Sequence, residues 1–425
     1  MAASAARGHD TVAALTGVWT TYDGITVDVD TDGYFAGAAG TVTFPANGLF
    51  VTWAWTGLDV SSSSGRAGRM LANGDSVTEC GPVEWHEVNA GNTARGTFGL
   101  FARTERGGDY LEMQARQDAG STQDCLGSFS VVRLPTSVAY SVNRVSGDAL
   151  TANDWFDLPI GTTAFISGVW NPTSGEITVP AAGNYLILAD VAVVRSVSPA
   201  DATAVTVDVR VNGSSLTAQA ENDYRSGHFW TLRYLDAGDT ITWRARVNDT
   251  DFTLTGSGLT VVLIDGPCAN VTHSTSQTIS NGSFTTLAFD TEYVDTDAFH
   301  DNSTNNSRLT VPTGLGGTYL VTGKITIATS VDAQLLLSVN GVTQVIWYVT
   351  QRDYTAAVVG VLELSDEDYV ELKAESDSGG DGTEPEFALI RLDDFSFGDV
   401  ALARIPKCPY LTYWAGWIAK ILRYV

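Results

Sequence analysis

Three times along this chain a β-branched run meets a proline, crosses a glycine and resumes at an aromatic residue that opens a second apolar run. "TVTFPANGLFVTW" carries Pro45, Gly48 and Phe50. "EITVPAAGNYLIL" carries Pro180, Gly183 and Tyr185, and "RLTVPTGLGGTYLVTG" carries Pro312, Gly317 and Tyr319. Proline has no amide donor and sits badly inside a central strand, while glycine supplies the conformations a tight turn needs. Each stretch therefore reads as two strands joined by a rigid corner. The prolines lie 135 and 132 residues apart.

More landmarks recur in the same order, as a true internal repeat requires. An Asn-Gly pair follows each corner: Asn73-Gly74, Asn212-Gly213 and Asn340-Gly341. The second and third close alternating apolar runs (Val205, Val207, Val209, Val211; Leu335, Leu337, Val339). Period-two apolar residues running into Asn-Gly signal a hairpin with a type I′ turn, which needs two positive φ values. An acidic residue then opens a further strand at Asp109, Asp239 and Asp368. Each copy ends on an apolar strand, "FSVVRL" from Phe129, "LTVVLI" from Leu259 and "FALIRL" from Phe387.

Three tandem modules of about 130 residues follow. Gly is 42 of 425 residues, and no stretch before residue 400 shows a sustained helical stripe. Short alternating runs between turn signals read as all-β sandwiches, each long enough for its own core. The expected division is 1–135, 136–267 and 268–398, with a tail at 399–425. The short links "LPTSV" and "DGPCANV" predict a rod of abutting modules.

The order of these landmarks resembles the jelly roll of complement globular heads and tumour-necrosis-factor ligands. More specifically, "FDTEYVDTDAFHDNSTNNSRLTVPTGLGGTYLVTG" (Phe289 to Gly323) is similar to the opening of such modules in tail and other structural proteins of bacteriophages. "DTDGYF" at Asp30 echoes "DTDAFH" at Asp295. The first module departs most, with a longer stretch between its Asn-Gly and Gly-Asp and with Cys80 and Cys125. The resemblance implies ten-strand jelly rolls that pack as a homotrimer, with apolar and aromatic residues along the threefold axis.

The chain has 24 basic and 49 acidic residues, a net charge of −25. Nucleic-acid binding needs clustered Lys and Arg, so it is not expected. No run of roughly 18 apolar residues occurs, so no segment is expected to span a bilayer as a helix. The N-terminal stretch lacks the long apolar region of a signal peptide. Four cysteines do not make a disulfide scaffold; Cys80 and Cys125 could bridge or be two buried thiols.

The five histidines, His9, His86, His228, His273 and His300, are scattered without metal-ligand spacing. No nucleophile elbow, zinc helix or phosphate loop is present, and no pair of carboxylates stands out for glycoside hydrolysis. The expectation is a protein that is not an enzyme. "DVDTDG" matches the first half of a calcium loop, with Asp28, Asp30 and Asp32 before Gly33. Its twelfth position, however, is Ala39 rather than Glu. Asp30 and Asp32, with the matching Asp295 and Asp297, are the metal candidates; the bland reading is a solvated strand edge. No other cofactor is expected.

After Asp399 the character changes. The last 26 residues carry Arg404, Lys407, Lys420 and Arg423 and no acid, so they are +4 and the remainder is −29 (−25 minus 4). Beyond Pro406 and Pro409, Tyr410, Trp414, Trp417, Ile418, Ile421 and Val425 fall on one face of an amphipathic helix. It reads as a docking helix for another virion protein, as one strand of a bundle on the trimer axis, or as a helix folded back on the third module. Aromatic residues are enriched at interfaces, which favours the first two. The functional expectation is a bacteriophage virion structural protein, assembled in the host cytoplasm. It would be a trimeric tail-associated fibre or spike, or a head decoration, and could adhere to a host glycan or protein. The alternatives are a bacterial surface or secreted adhesin, and a glycan hydrolase with its site in the first module.

Overall fold

The computed structural model describes residues 5–394, apart from 15–17, 36–39, 59–65, 74–83, 87–94, 106, 118–120, 136, 146, 174, 196–204, 217–218, 222–225, 250–251, 328–332, 350–354 and 377–378. The described residues are all-β. Among the described residues the first module has ten strands: β1 (Ala5–Ala14), β2 (Thr20–Thr21), β3 (Thr26–Asp30), β4 (Thr41–Thr43), β5 (Gly48–Leu58), β6 (Arg66–Ala72), β7 (Glu84–His86), β8 (Arg95–Glu105), β9 (Tyr110–Gln117) and β10 (Gln123–Arg133). One sheet runs β3-β1-β10-β5-β8. The other runs β2-β9-β6-β7, with β4 also paired to β9. Neighbouring strands far apart in sequence and two facing antiparallel sheets define a jelly roll.

The other two modules repeat that order. In the second, the first sheet runs Thr162–Ser167, Ala139–Val145, Phe252–Ile264, Gly183–Arg195, Ser226–Leu235. In the third it runs Thr291–Asp295, Cys268–Thr272, Gly380–Arg391, Gly317–Ile327, Thr355–Leu364.

The recurring landmarks have physical reasons. Asn73, Asn212 and Asn340 have φ of 54°, 50° and 51°, and Gly213 and Gly341 both have φ of 78°, as a type I′ turn demands. Each asparagine also binds the acidic residue of the Gly-Asp landmark or its module equivalent. Asn Nδ2 donates to Asp109 at 3.1 Å, to Asp239 at 2.7 Å and to Asp368 at 2.6 Å. Asn Oδ1 accepts the amides of Tyr110, Thr240 and Tyr369. Two landmarks about 30 residues apart are thus one device that pins a hairpin to its neighbouring strand. The corner works similarly. Tyr185 Oη donates to Ala181 O at 2.8 Å, and Tyr319 Oη to Leu315 O at 2.5 Å. Phe50 takes the same place without a hydroxyl.

The modules do not form the expected rod. β8 packs on the second module's Thr162–Ser167, Gly183–Arg195 and Phe252–Ile264 strands. The second module's Ser226–Leu235 packs on the third module's Cys268–Thr272 and Thr291–Asp295. The third module's Thr355–Leu364 packs back on β1 and β3. The contacts close a ring of three around one axis. The cause is visible in the first sheet, which is apolar on both faces. Phe50 joins the first module's core while Val51 and Trp53 point to the axis; Tyr185, Ile187 and Ala189 join the second module's core while Leu186 and Leu188 point to the axis. A sheet end-to-end in a rod would leave that second face in water. Fully burying one such side chain contributes about 1.5–3 kcal/mol, so the ring wins.

Candidate functional site

The centre of the molecule is where the three modules meet. Val51, Trp53, Leu186, Leu188, Trp230, Leu320, Thr322 and Val359 line a narrow cavity there. The strand registers make these residues equivalent by threes. Val51, Leu186 and Leu320 each directly follow the corner aromatic, and Trp53, Leu188 and Thr322 lie two residues further on. Across the sheet, Leu188 pairs with Trp230 and Thr322 with Val359. Apart from Thr322 the lining is hydrocarbon and indole, with no group suited to acid–base or nucleophilic chemistry.

Beside the axis, between the second and third modules, lies a buried polar cluster. Glu386 is 2% exposed. Its Oε1 accepts from Thr231 Oγ1 at 2.5 Å, Asn270 Nδ2 at 2.6 Å and Arg233 Nη1 at 2.8 Å. Its Oε2 pairs with Lys324 Nζ at 2.7 Å. Asn270 Nδ2 also donates to Leu232 O at 2.7 Å, and Lys324 Nζ to Trp230 O at 3.1 Å. Arg233 stacks over Tyr293, its Cζ 3.5 Å from the ring centroid. Burial alone would raise the Glu386 carboxyl, but Lys324 and Arg233 outweigh it and hold the group at about 2. Burial lowers Lys324, against the pull of Glu386. A buried carboxylate with four donors and two cations is fully satisfied and ionised. Sequence reading passed over all of these residues. Lys324 was unusual as the one charge in the strand Gly317–Ile327, and that was the available signal; Glu386 shares its strand with Asp381 and Glu384 and did not stand out.

The predicted metal residues have a structural job where β3 and its third-module counterpart, Thr291–Asp295, run into the following loop. Asp30 Oδ1 accepts the amides of Gly33 at 2.8 Å and Tyr34 at 2.9 Å, and Oδ2 that of Phe35 at 3.1 Å. Asp295 likewise accepts Phe299 N and His300 N, both at 3.0 Å. The threonine of each "DTD" pins the first strand: Thr31 Oγ1 accepts Ala5 N, and Thr296 Oγ1 accepts Cys268 N, both at 2.9 Å. Asp28 pairs with Arg7 at 3.2 Å. Asp32 is exposed, and Asp297 accepts from Thr296 Oγ1 at 2.6 Å. Among the described residues no group of three or more His, Cys, Asp or Glu side chains is placed to hold a metal ion. The second module has Ile166 at the register position of Asp30 and Asp295, opposite Tyr140. There Trp170 Nε1 donates to Ser167 O at 2.8 Å instead.

Cys125 and Cys268 are buried; Cys80 lies outside the described residues. So do Tyr410, Trp414, Trp417, Ile418, Ile421 and Val425, together with the rest of 395–425. Among the described residues no helix is long and apolar enough to cross a membrane.

No protein-family profile matches the chain, and no curated protein matches it. Solved structures do match, and the three that follow each cover less than a third of it. Rabbit GITRL is 16% identical and covers 30% of this chain and 93% of its own, with a TM-score of 0.21. PRD1 vertex protein P5 is 15% identical over 31% and 99%, with a TM-score of 0.26. The globular domain of zebrafish complement 1qA is 14% identical over 31% and 96%, with a TM-score of 0.25. All three are jelly-roll folds. The fold of this chain rests on its own strand order.

Proposed function

We propose that the protein is a non-enzymatic structural protein of a bacteriophage particle, assembled in the host cytoplasm. In this reading it is a head of threefold form that one chain completes, mounted on other virion proteins through residues 399–425. The observation that carries it is the closed ring. The apolar surfaces that the resemblance assigns to contacts between subunits are covered here by modules of the same polypeptide. A rigid, acidic, multi-module head suits a fibre tip, spike or decoration. Host adhesion, to a glycan or a protein, would use the outer sheets and loops.

A non-catalytic role is supported by the fate of the charged groups described above. Glu386, Lys324 and Arg233 satisfy one another, and Asp30 and Asp295 are taken up by backbone amides. None is left aimed at a space that a substrate could enter.

Two measurements test the proposal. Native mass determination should give one chain of 45.2 kDa rather than the homotrimer expected from the resemblance. A stable three-chain assembly would show that further contact surfaces exist and that the single-chain reading is wrong. Electron microscopy of particles should find the protein on the virion and should lose it when 399–425 is deleted. A truncated protein incorporated at full copy number would remove the docking role.

A further inference from the structure

Three similar modules around an axis can be ordered in two ways, 1→2→3→1 or 1→3→2→1, where the arrow runs from an edge strand to the sheet that receives it. A module from a second copy could also take any of the three places. Apolar contact is non-directional, and the axis positions are apolar in all three modules, so the axis alone chooses poorly. We infer that the Glu386 cluster is the selective contact: it fits the edge strand of the second module and fixes the cyclic order of the ring.

The registers show why. Thr231 and Arg233 of the second module correspond to Phe101 and Arg103 in the first and to Gly360 and Leu362 in the third. On the receiving side, Asn270, Lys324 and Glu386 correspond to Arg7, Trp55 and Ser128 in the first module and to Ser141, Asp190 and Gly258 in the second. The third module receives with a carboxylate at the Glu386 position, paired with Lys324, whereas the second has Gly258 there and carries its carboxylate, Asp190, at the Lys324 position.

In the observed order Glu386 gains a hydroxyl and a guanidinium from across the interface. In the reversed order it would meet Phe101 in place of Thr231 and Arg103 in place of Arg233, so the hydroxyl is lost while a guanidinium position remains. Arg233 would then approach the first module, where Arg7, Trp55 and Ser128 stand at the positions of Asn270, Lys324 and Glu386 and offer it no carboxylate at the Glu386 position. If a second copy's third module docked on this one, Gly360 and Leu362 would supply neither donor. Leaving a buried donor or acceptor unmatched costs about 1–3 kcal/mol, and more when it is charged. The carbonyls of Trp230 and Leu232, which accept from Lys324 and Asn270, further set the height at which the strands meet. A single buried polar group that dictates register and assembly is the best-attested use of such groups.

The test uses the full chain with Arg233→Met, Lys324→Met and Glu386→Gln combined. The variant removes all three charges together, so no buried charge is left uncompensated, and Glu386→Gln keeps a polar group beside Thr231 and Asn270. The triple variant should therefore fold and melt near the parent. After unfolding and refolding, its share of dimers and larger exchanged species should rise at least about tenfold over the parent, the effect of losing ~1.4 kcal/mol of discrimination. Mixing isotope-labelled and unlabelled chains before refolding should give hybrid species for the variant and almost none for the parent. The inference is overturned if the variant refolds to the same monomer with the parent's amide protection at Leu232 and Asn270. It is equally overturned if the variant fails to fold, since the cluster would then supply stability rather than selection. Neither readout depends on the place of the protein on a particle.

Discussion

Replacing Asp295 by alanine separates a loop cap from a calcium ligand. The carboxylate accepts two backbone amides, Phe299 N and His300 N, each at 3.0 Å. Hydrogen bonds to a charged group contribute about 1.5–3 kcal/mol each. The site is only partly buried, so the lower end applies and the expected loss is about 3 kcal/mol. At roughly 2–4 °C per kcal/mol for domains of this size class, the melting temperature should fall by about 6–12 °C. Asp295→Asn keeps one accepting oxygen and should lose about half as much. Asp30→Ala removes three amide contacts and should cost at least as much as Asp295→Ala. Calorimetry on the full chain, with millimolar calcium and with chelator, is the assay. Calcium should leave the parent's melting temperature unchanged, because the carboxylate oxygens are already taken by amides. A calcium-dependent rise in the parent that Asp295→Ala or Asp30→Ala abolishes would refute the cap account, since a ligand that binds the native state stabilises it by mass action.

Trp53→Ala, at the axis and 1% exposed, should destabilise by about 3–5 kcal/mol through the cavity it leaves, measured by denaturant unfolding. Glu386 is held at about 2, below the usual 4.5. Its depressed folded value means that its contribution is present above the unfolded value and is lost as pH falls from about 4.5 towards 2. Acid unfolding should therefore steepen in that window and flatten in Glu386→Gln. Asp190 runs the other way: burial raises it to about 6 from 3.8, with His228 opposing. Stability should fall as pH rises through that interval, so Asp190→Asn should raise the melting temperature at pH 8 and leave it unchanged near pH 4. Cys268, pushed up to about 12 chiefly by burial, should resist thiol reagents at pH 8 in the native state and react only on unfolding.

The sequence by itself determined the repeat, the all-β class and the places of the hairpins. These depend on local chemistry: a φ that only Asn or Gly adopts readily at Asn340-Gly341, a missing donor at Pro312, and a period-two run that leaves one face for a core. It also carried the match between "DTDGYF" and "DTDAFH", though as possible ligands rather than as caps, because a carboxylate's partner amides are invisible until the loop has closed. Tertiary structure alone decided that the modules form a ring. The runs "LFVTW" and "YLIL" are apolar at consecutive positions, a sign of burial on both faces, but nothing local says that the second face is covered by a sister module. Nor could spacing reveal the Glu386 cluster. Arg233 and Glu386 stand 153 residues apart on different modules, and a charge inside an apolar strand acquires its meaning only from the cations and donors that folding brings to it.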